Sequence, residues 1–212
     1  MRTRAQRIED FEAFQKSVEG IFKKGQQQMT DYVQLVDYYC FSVCPKGRNG
    51  GVDSHLVEVF FGSRPYEQEK VVSDSFKVST HFLAESGAEL SLFRDDLGYV
   101  CIQLFPAKSK YGRQKEDCII LQSHLDPKKL LRHGFQKRLL LQLNSYMSVT
   151  CLEGKPTICD KMRVKIIRLN KHQVLNEEVQ PVIALKWLGD VLKFVLTVGL
   201  SGFLLTIIEK YV

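Results

Sequence analysis

The sequence predicts an α+β fold in which helices flank an antiparallel sheet of about five strands and a single transmembrane helix ends the chain. Three patterns support this: helical spacing of apolar residues near the N-terminus, short alternating runs in the middle, and a highly apolar C-terminal stretch. The 212 residues, 44% hydrophobic and 25% charged, suffice for one compact domain plus that stretch. The predicted units are an α+β domain over residues 1–175 and a membrane-anchor helix over residues 181–212.

The first predicted helix covers residues 4–24, where apolar side chains recur at helical spacing with charged residues between them. Its apolar face consists of Ile8, Phe11, Phe14, Val18, Ile21 and Phe22. Gly25 is predicted to end this helix. Residues 26–39 form either a second helix or the lead into a strand over 38–43, and the pattern does not decide between them.

Short strand-like runs fill the middle of the chain, each bounded by Gly, Pro, Asp or Ser. They are Leu56–Phe61, Phe76–Leu83, Glu89–Phe93, Tyr99–Phe105 and Cys118–Gln122. Their close spacing predicts an antiparallel meander. The clearest hairpin joins the third run to the fourth, because Gly98 can take the positive φ that a tight connection needs. Residues 106–116 are polar and basic, which indicates an exposed loop.

Two further helices are expected after the sheet. Asp126 followed by proline is typical of an N-cap and a first helical position, which predicts a helix over about 127–147. Thr157 with Asp160 three positions later resembles a capping box, although aspartate is shorter than the usual glutamate. The helix that begins there is expected to reach about residue 170.

The C-terminal stretch follows a polar linker predicted over residues 174–180. It has no charged residue from Phe194 to Ile208, and with Leu192 and a snorkelling Lys193 it spans about 25 Å as a helix, near the lower limit for crossing a bilayer. Aromatic and basic residues flank it, as they do at membrane interfaces. The predicted anchor residues are Trp187, Lys193, Phe194, Gly199, Gly202, Phe203 and Tyr211.

A second interpretation of this stretch stays open, because a helix buried in a core or an oligomer interface is also apolar all round. The small residues Gly199, Ser201 and Gly202 offer a face on which another copy of the helix can pack, which predicts a homo-oligomer. The N-terminus lacks the apolar segment of a signal peptide, and only Lys210 follows the apolar span. Both features predict a single-pass protein whose N-terminal domain is cytoplasmic.

Positive charge is concentrated just before the predicted anchor. Between Asp126 and Lys171 there are eleven Lys/Arg against three Asp/Glu, a net charge of +8, whereas the whole chain carries +6. The candidate residues for binding an anion or a lipid headgroup are Lys128, Lys129, Arg132, Lys137, Arg138, Lys161, Arg163, Lys165 and Arg168.

This basic region has three interpretations. Cations beside a membrane helix are attracted to anionic lipid by about 1 kcal/mol per residue near the surface. A basic helical face also suits the phosphates of a nucleic acid or nucleotide, although aromatic stacking residues are sparse there. In the third interpretation, the charges form an ordinary solvated face. Its expected core-side residues are Leu130, Leu131, Phe135, Leu139, Ile166 and Ile167.

Catalytic motifs are missing from the sequence. There is no GxGxxG, GxxxxGK[ST], HExxH or GxSxG. Ser123, His124 and Asp126 are the residue types of a hydrolase triad, but such close neighbours cannot easily aim at one another, so turn and capping roles are expected. The six cysteines lack a CxxC pair and are expected to be reduced, and the spacing of Cys40 and Cys44 has no matching second pair for zinc. We predict no cofactor and no metal site.

The sequence therefore favours a binding protein over an enzyme. The leading hypothesis is a tail-anchored membrane protein whose cytoplasmic domain acts as a binding, sensing or effector module and signals through self-association of the anchor helix. Its expected partners are anionic lipid and a second copy of the chain. The alternative hypothesis is a soluble nucleic-acid- or nucleotide-binding protein with its C-terminal helix buried in the core or in a dimer interface. An enzyme with an unfamiliar site ranks third.

Overall fold

The computed structural model describes residues 2–49, 51–72, 76, 78–112, 114–185, 189, 193 and 194. They form an α+β fold, which confirms the predicted class. The helices are α1 (Arg4–Gln27), α2 (Val33–Tyr39), α3 (His133–Thr150) and α4 (Ile158–Asn170). The strands are β1 (Phe41–Cys44), β2 (Leu56–Phe61), β3 (Ser63–Val72), β4 (Val78–Ser86), β5 (Glu89–Arg94), β6 (Val100–Phe105), β7 (Cys118–Leu125), β8 (His172–Leu175) and β9 (Glu178–Gln180).

Seven strands form one antiparallel sheet in the order β1-β2-β5-β6-β7-β8-β9. The expectation of about five strands was therefore too low. Four of the five predicted runs lie in this sheet as β2, β5, β6 and β7. The remaining run, predicted over 76–83, corresponds to β4, which pairs with β3 in a separate hairpin. The predicted β5–β6 connection is confirmed, with Gly98 at φ +84°.

Edge strands account for the missed part of the sheet. The segment 174–180, expected to be a polar linker, instead lies largely in β8 and β9, and β8 pairs with β7 through Cys118 and Val174. The hairpin strand β3 is similarly polar and contains Pro65. Such strands are held by backbone hydrogen bonds to a neighbour, so their sequences need no apolar alternation.

The hydrophobic core lies between one face of the sheet and the helices. From α1, the predicted residues Phe11, Phe14, Val18 and Phe22 are all buried. They share one cluster with alternate residues of the strands and with the inner face of α3. The strand residues of this cluster include Val57, Val59, Leu90, Leu92, Ile102, Leu104 and Ile119. The helical spacing in α1 therefore predicted correctly which side chains enter the core.

The later helices begin close to the predicted positions. The carboxylate of Asp126 accepts a hydrogen bond from the backbone N–H of Lys128, as a cap does, but the turn it caps is a short 3₁₀ helix over Pro127–Lys129. The long helix α3 starts only at His133. At α4 the predicted capping box is confirmed, because the Thr157 hydroxyl accepts from the Asp160 N–H and the Asp160 carboxylate accepts from the Thr157 N–H.

The second face of the sheet is open to solvent within the described residues. Phe93 is 48% exposed, and Phe60, Phe105 and Ile120 are partly exposed. This face also carries acids: Glu58 and Glu89 on β2 and β5 both pair with Arg48. The β3–β4 hairpin exposes apolar side chains as well, including Phe76 (89%) and Phe82 (67%).

Three buried carboxylates accept hydrogen bonds from tyrosine hydroxyls, and these pairs fasten the helices to one another and to the strands. Tyr146 of α3 donates to Glu116 at 2.7 Å. Tyr39 of α2 donates to Glu85 of β4 at 2.5 Å. Tyr32 donates to Asp160 of α4 at 2.5 Å. Burial first, and then the neighbouring carboxylate, raises the pKa of Tyr146 and of Tyr39, so both hydroxyls stay protonated donors.

The predicted anchor falls almost entirely outside the described residues. Lys193 and Phe194 are described, and Phe194 is 67% exposed. Within the part of the chain that the structure describes, no helix has the length and apolar character needed to cross a membrane. The anchor residues outside the described part are Trp187, Gly199, Gly202, Phe203 and Tyr211.

The Glu116 network gives a stability prediction. Glu116 is 1% exposed, and Arg168 of α4 contacts its carboxylate at 2.7 Å. Removing one partner of a buried ion pair costs about 3 kcal/mol, because the remaining charge is left desolvated. Arg168→Ala is therefore expected to lower the free energy of unfolding by about this amount, measured by urea denaturation followed by circular dichroism.

Two variants control that experiment. Adding Glu116→Gln to the Arg168→Ala chain removes the stranded charge and is expected to recover part of the loss. Lys23→Ala breaks an exposed i,i+4 pair with Glu19 and is expected to cost less than about 0.5 kcal/mol. Equal losses for Arg168→Ala and Lys23→Ala would contradict a structural role for the buried pair.

Candidate anion-binding groove

A cationic groove lies where β7 leads into α3. It is an open cavity of about 510 Å³. Its lining residues are Gln122, Lys129, Arg132, Gly134, Phe135 and Arg138. Three of these are cations from the predicted set of nine, and the fold brings them together from the 3₁₀ turn, the residue before α3 and the second turn of α3. We call this cavity the α3 groove.

Backbone and side-chain hydrogen bonds hold the α3 groove in shape. The side-chain amide of Gln136, itself buried, donates to the carbonyl of Leu130 at 2.7 Å and so fixes the turn that presents Lys129. The carbonyl of Arg132 accepts the N–H groups of Phe135 and Gln136, at 3.0 and 3.1 Å. Arg132 itself lines the groove and is exposed.

The charge in the α3 groove is not neutralised by the domain. Lys129, Arg132 and Arg138 are exposed, and none of them pairs with a carboxylate among the described residues. Arg138 lies over the ring of Phe135, with 5.0 Å from its guanidinium carbon to the ring centroid. The positive end of the α3 dipole adds to the same field. Three unpaired cations around one cavity suit an anionic group, above all a phosphate.

The other six predicted cations are divided among different surroundings. Lys128 is exposed beside the α3 groove, and Lys137 lines a separate cavity of about 60 Å³ between α1 and α3. Lys161 and Lys165 are exposed on α4. Arg163 and Arg168, also on α4, are half-buried and paired within the domain. The anion site that the geometry favours therefore consists of Lys129, Arg132 and Arg138, with Lys128 beside them.

Arg163 belongs to the network at the start of α4. It contacts Asp160 at 3.3 Å and donates to the hydroxyl of Ser145 at 2.5 Å. Burial raises the pKa of the Asp160 carboxyl, but hydrogen bonds from Tyr32, Thr157 and Ser145 outweigh it and hold the pKa below its ordinary value. Asp160 is therefore ionised at neutral pH and forms an ion pair with Arg163.

The expected core side of α3 and α4 needs two corrections. Leu130, Leu139 and Ile167 are buried as predicted. Leu131 and Ile166 are instead 41% and 52% exposed. For Ile166 the reason is helix phase: Ile166 and Ile167 point about 100° apart, so only one of them can face α3. Phe135 packs against the core as predicted, but it is partly exposed and also lines the α3 groove.

The residues considered for catalysis have structural surroundings. The ring of His124 stacks on Tyr99, with 3.6 Å between centroids, while Asp126 accepts from Lys128 and pairs with Arg2. All six cysteines are free. Burial raises the pKa of the Cys151 thiol to about 11, which makes it a poor nucleophile. No three metal-ligating side chains of His, Cys, Asp or Glu converge among the described residues.

A larger cleft of about 720 Å³ lies between α1 and the loop before β2, but it is a weaker candidate. The amide of Gln15 is already engaged there by the carbonyls of Pro45, Ser54 and Leu56. Arg48 is paired with Glu58 and Glu89. Lys16 and Lys46 also line this cleft, but they share it with the carboxylate of Glu12, whereas no acidic residue among those described lines the α3 groove.

The Asp160 network predicts a pH dependence. Because the pKa of Asp160 is lowered by folding, the unfolded chain takes up a proton first as the pH falls. The stabilisation is complete at neutral pH and is lost as the pH drops below about 4. Asp160→Asn is expected to reduce the slope of unfolding free energy against pH in this range, measured by urea denaturation between about pH 6 and pH 2.5. Asp37→Asn, which changes an exposed carboxylate on α2, is the control and is expected to keep the slope.

Comparisons with known proteins find no family model that matches this chain. They find no matching curated protein and no matching solved structure either. The surfaces of the domain itself, above all the unpaired cations of the α3 groove, therefore carry the information about function.

Proposed function

We propose that the chain is a tail-anchored, single-pass membrane protein whose domain lies on the cytoplasmic side and acts as a binding, sensing or effector module. The anchor in this proposal is the apolar stretch from Leu192 to Ile208, flanked by Trp187 and Tyr211. Gly199 and Gly202 supply the face for self-association, through which a second copy of the chain joins the response.

The ligand of the module is an anionic, phosphate-bearing headgroup bound in the α3 groove. One observation carries this part of the proposal: Lys129, Arg132 and Arg138 surround one cavity and have no carboxylate partner in the described part of the domain. Cations so exposed remain hydrated and free to exchange water for phosphate oxygens. A domain tethered to a bilayer also meets anionic headgroups at high local concentration, which compensates for a modest affinity at each site.

A second candidate function is a soluble protein that binds a nucleotide or nucleic acid in the same groove. The open face of the sheet favours it, since Phe60, Phe93 and Phe105 are apolar side chains that the C-terminal helix could cover. The two candidates differ in what the apolar stretch contacts, lipid or protein, and so they predict opposite results when it is deleted.

Deletion of the C-terminal stretch tests the anchor. The full-length chain is expected to sediment with membranes, to resist carbonate and high-salt washes and to require detergent, because its apolar helix spans the bilayer. A chain ending at Gln180 is expected to be released. Retention of the shortened chain, or release of the full-length chain by carbonate, would contradict the anchor. If the full-length chain is released and the shortened chain aggregates, the second candidate is favoured.

A charge placed inside the groove tests the ligand. A Cβ at Gly134 would lie in open space apart from its own helix backbone and chain neighbours, so the position accepts a side chain, and Gly134→Asp adds a carboxylate to the lining of the groove. Aspartate in the first turn also suits the helix dipole, so the fold is expected to be retained. Repulsion of the ligand is expected to weaken binding about 10-fold or more. The matched control is Gly134→Asn, which has the same shape without the charge.

The measurement is a titration of full-length protein in neutral detergent with three probes: short-chain phosphatidylserine, short-chain phosphatidylcholine and ATP. Lys129→Ala with Arg132→Ala and Arg138→Ala is expected to weaken phosphatidylserine binding on the order of 100-fold, at about 1 kcal/mol per cation. Lys24→Ala with Lys46→Ala and Lys70→Ala removes the same charge elsewhere and serves as the control. Tight binding of ATP alone would favour the nucleotide candidate.

A further inference from the structure

The outer side of α4 carries an apolar stripe. It consists of Ile158, Met162, Ile166 and Leu169, which are 80%, 52%, 52% and 37% exposed. Steps of four, four and three residues place these side chains along one side of a helix. The opposite side of α4 carries Asp160, Val164 and Ile167, which are buried. The stripe therefore points away from the domain.

Positive charge borders this stripe. Lys161 and Lys165 lie along one flank, both exposed and neither paired with a carboxylate among the described residues. The only acid in the sequence of α4 is Asp160, which is 2% exposed and already engaged by Tyr32, Ser145 and Thr157. The outer surface of the helix thus combines apolar and cationic groups and presents no exposed carboxylate.

This combination matches the interface of an anionic bilayer. A helix with an apolar stripe and lysines beside it lies in the plane of the membrane, with its apolar side chains below the headgroups. Lysine side chains suit this position because their aliphatic stems follow the apolar surface while the ammonium groups reach the phosphates. Anionic lipid is therefore the occupant whose charge and polarity complement both parts of the surface.

The course of the chain places α4 next to the proposed anchor. Only the short β8–β9 hairpin separates the end of α4 from Pro181, which opens the C-terminal stretch. Apolar side chains remain exposed along this route, namely Leu175 (38%), Val179 (60%), Ile183 (44%) and Leu185 (65%). The exposed apolar surface of α4 is thus followed along the chain by further exposed apolar residues up to the anchor.

We infer that α4 lies on the anionic bilayer as an interfacial helix. Ile158, Met162, Ile166 and Leu169 enter the boundary between headgroups and acyl chains, and Lys161 and Lys165 contact lipid phosphates. This deepens the proposed function and rests on it, because the anchor is what brings α4 to the bilayer. A domain held by both the anchor and α4 has a defined orientation, whereas a domain held by the anchor alone could rotate freely.

Tryptophan fluorescence tests this inference in the full-length chain. Trp187 is the only tryptophan, so Trp187→Phe gives a background in which Met162→Trp reports on the stripe. The protein is reconstituted into vesicles of phosphatidylcholine with phosphatidylserine that carry bromine on their acyl chains. Tryptophan at position 162 is expected to be quenched by the bromolipids and shielded from aqueous acrylamide. The control is Val52→Trp, at a site 82% exposed in the loop before β2, which is expected to behave oppositely.

Charge reversal separates lipid contact from simple proximity. Lys161→Glu with Lys165→Glu is expected to abolish the quenching at position 162, whereas Lys46→Glu with Lys70→Glu, which reverses the same charge elsewhere, is expected to leave it unchanged. Circular dichroism of each variant shows whether α4 is retained. Quenching at position 162 no greater than at position 52 in a folded chain would overturn the inference. Shielding from acrylamide without bromolipid quenching would also overturn it, because protein then covers the stripe.

Carbonate extraction of the chain with Trp187 intact, in vesicles of the same lipids, keeps the two proposals apart. Resistance to carbonate without quenching at position 162 means that the anchor stands and the interfacial helix does not. Quenching at position 162 in a chain that carbonate releases means that α4 binds lipid on its own and that the anchor fails.

Discussion

The arrangement of the helices depends on three buried carboxylates, Glu85, Glu116 and Asp160, each of which accepts a hydrogen bond from a tyrosine. Burying a charged group without partners costs several kcal/mol, so each carboxylate restricts where its neighbouring elements can lie. Glu85 ties α2 to β4, and its second oxygen accepts the N–H of Leu152, just after α3. Glu116 and Asp160 both lie between α3 and α4. The position of α4, and so the direction in which its outer side faces, follows from these contacts.

The same carboxylates divide the positive charge of the chain into two classes. In the first class, Arg163 pairs with Asp160 and Arg168 pairs with Glu116. A guanidinium has several donors in one plane, so that of Arg163 also donates to the hydroxyl of Ser145. The lysines of α4 and the cations of the α3 groove are left on the surface. The high net charge of this region therefore overstates the charge available to a ligand, and the available part is concentrated in the α3 groove and beside the apolar stripe of α4.

The exposed surfaces differ in chemistry, and this difference supports the functional proposal. The open face of the sheet mixes phenylalanines with Glu58 and Glu89, which repel phosphate. The α3 groove and the outer side of α4 carry cations without exposed acids. The groove suits a single anionic headgroup, and the stripe suits an extended apolar surface with anionic groups at its edge. Under the proposed function, a bilayer rich in anionic lipid offers both kinds of contact to one domain.

Local sequence determined much of the fold. The spacing of Phe11, Phe14 and Val18 identified α1 and its buried side, and Thr157 with Asp160 identified the start of α4, because helix periodicity and capping act between residues close in sequence.

Tertiary structure decided the rest. The strands β8 and β9 exist because β7 offers them a backbone partner, and which arginines meet a buried carboxylate depends on packing between distant segments. The exposure of Ile166 beside the buried Ile167 also depends on which side of α4 the domain covers. Ile158, Met162 and Ile166 recur at helical spacing, but the same spacing describes a core face. Only the packing of α4 on α3 shows that this side is uncovered within the described domain, since periodicity defines the faces of a helix without saying which one meets protein.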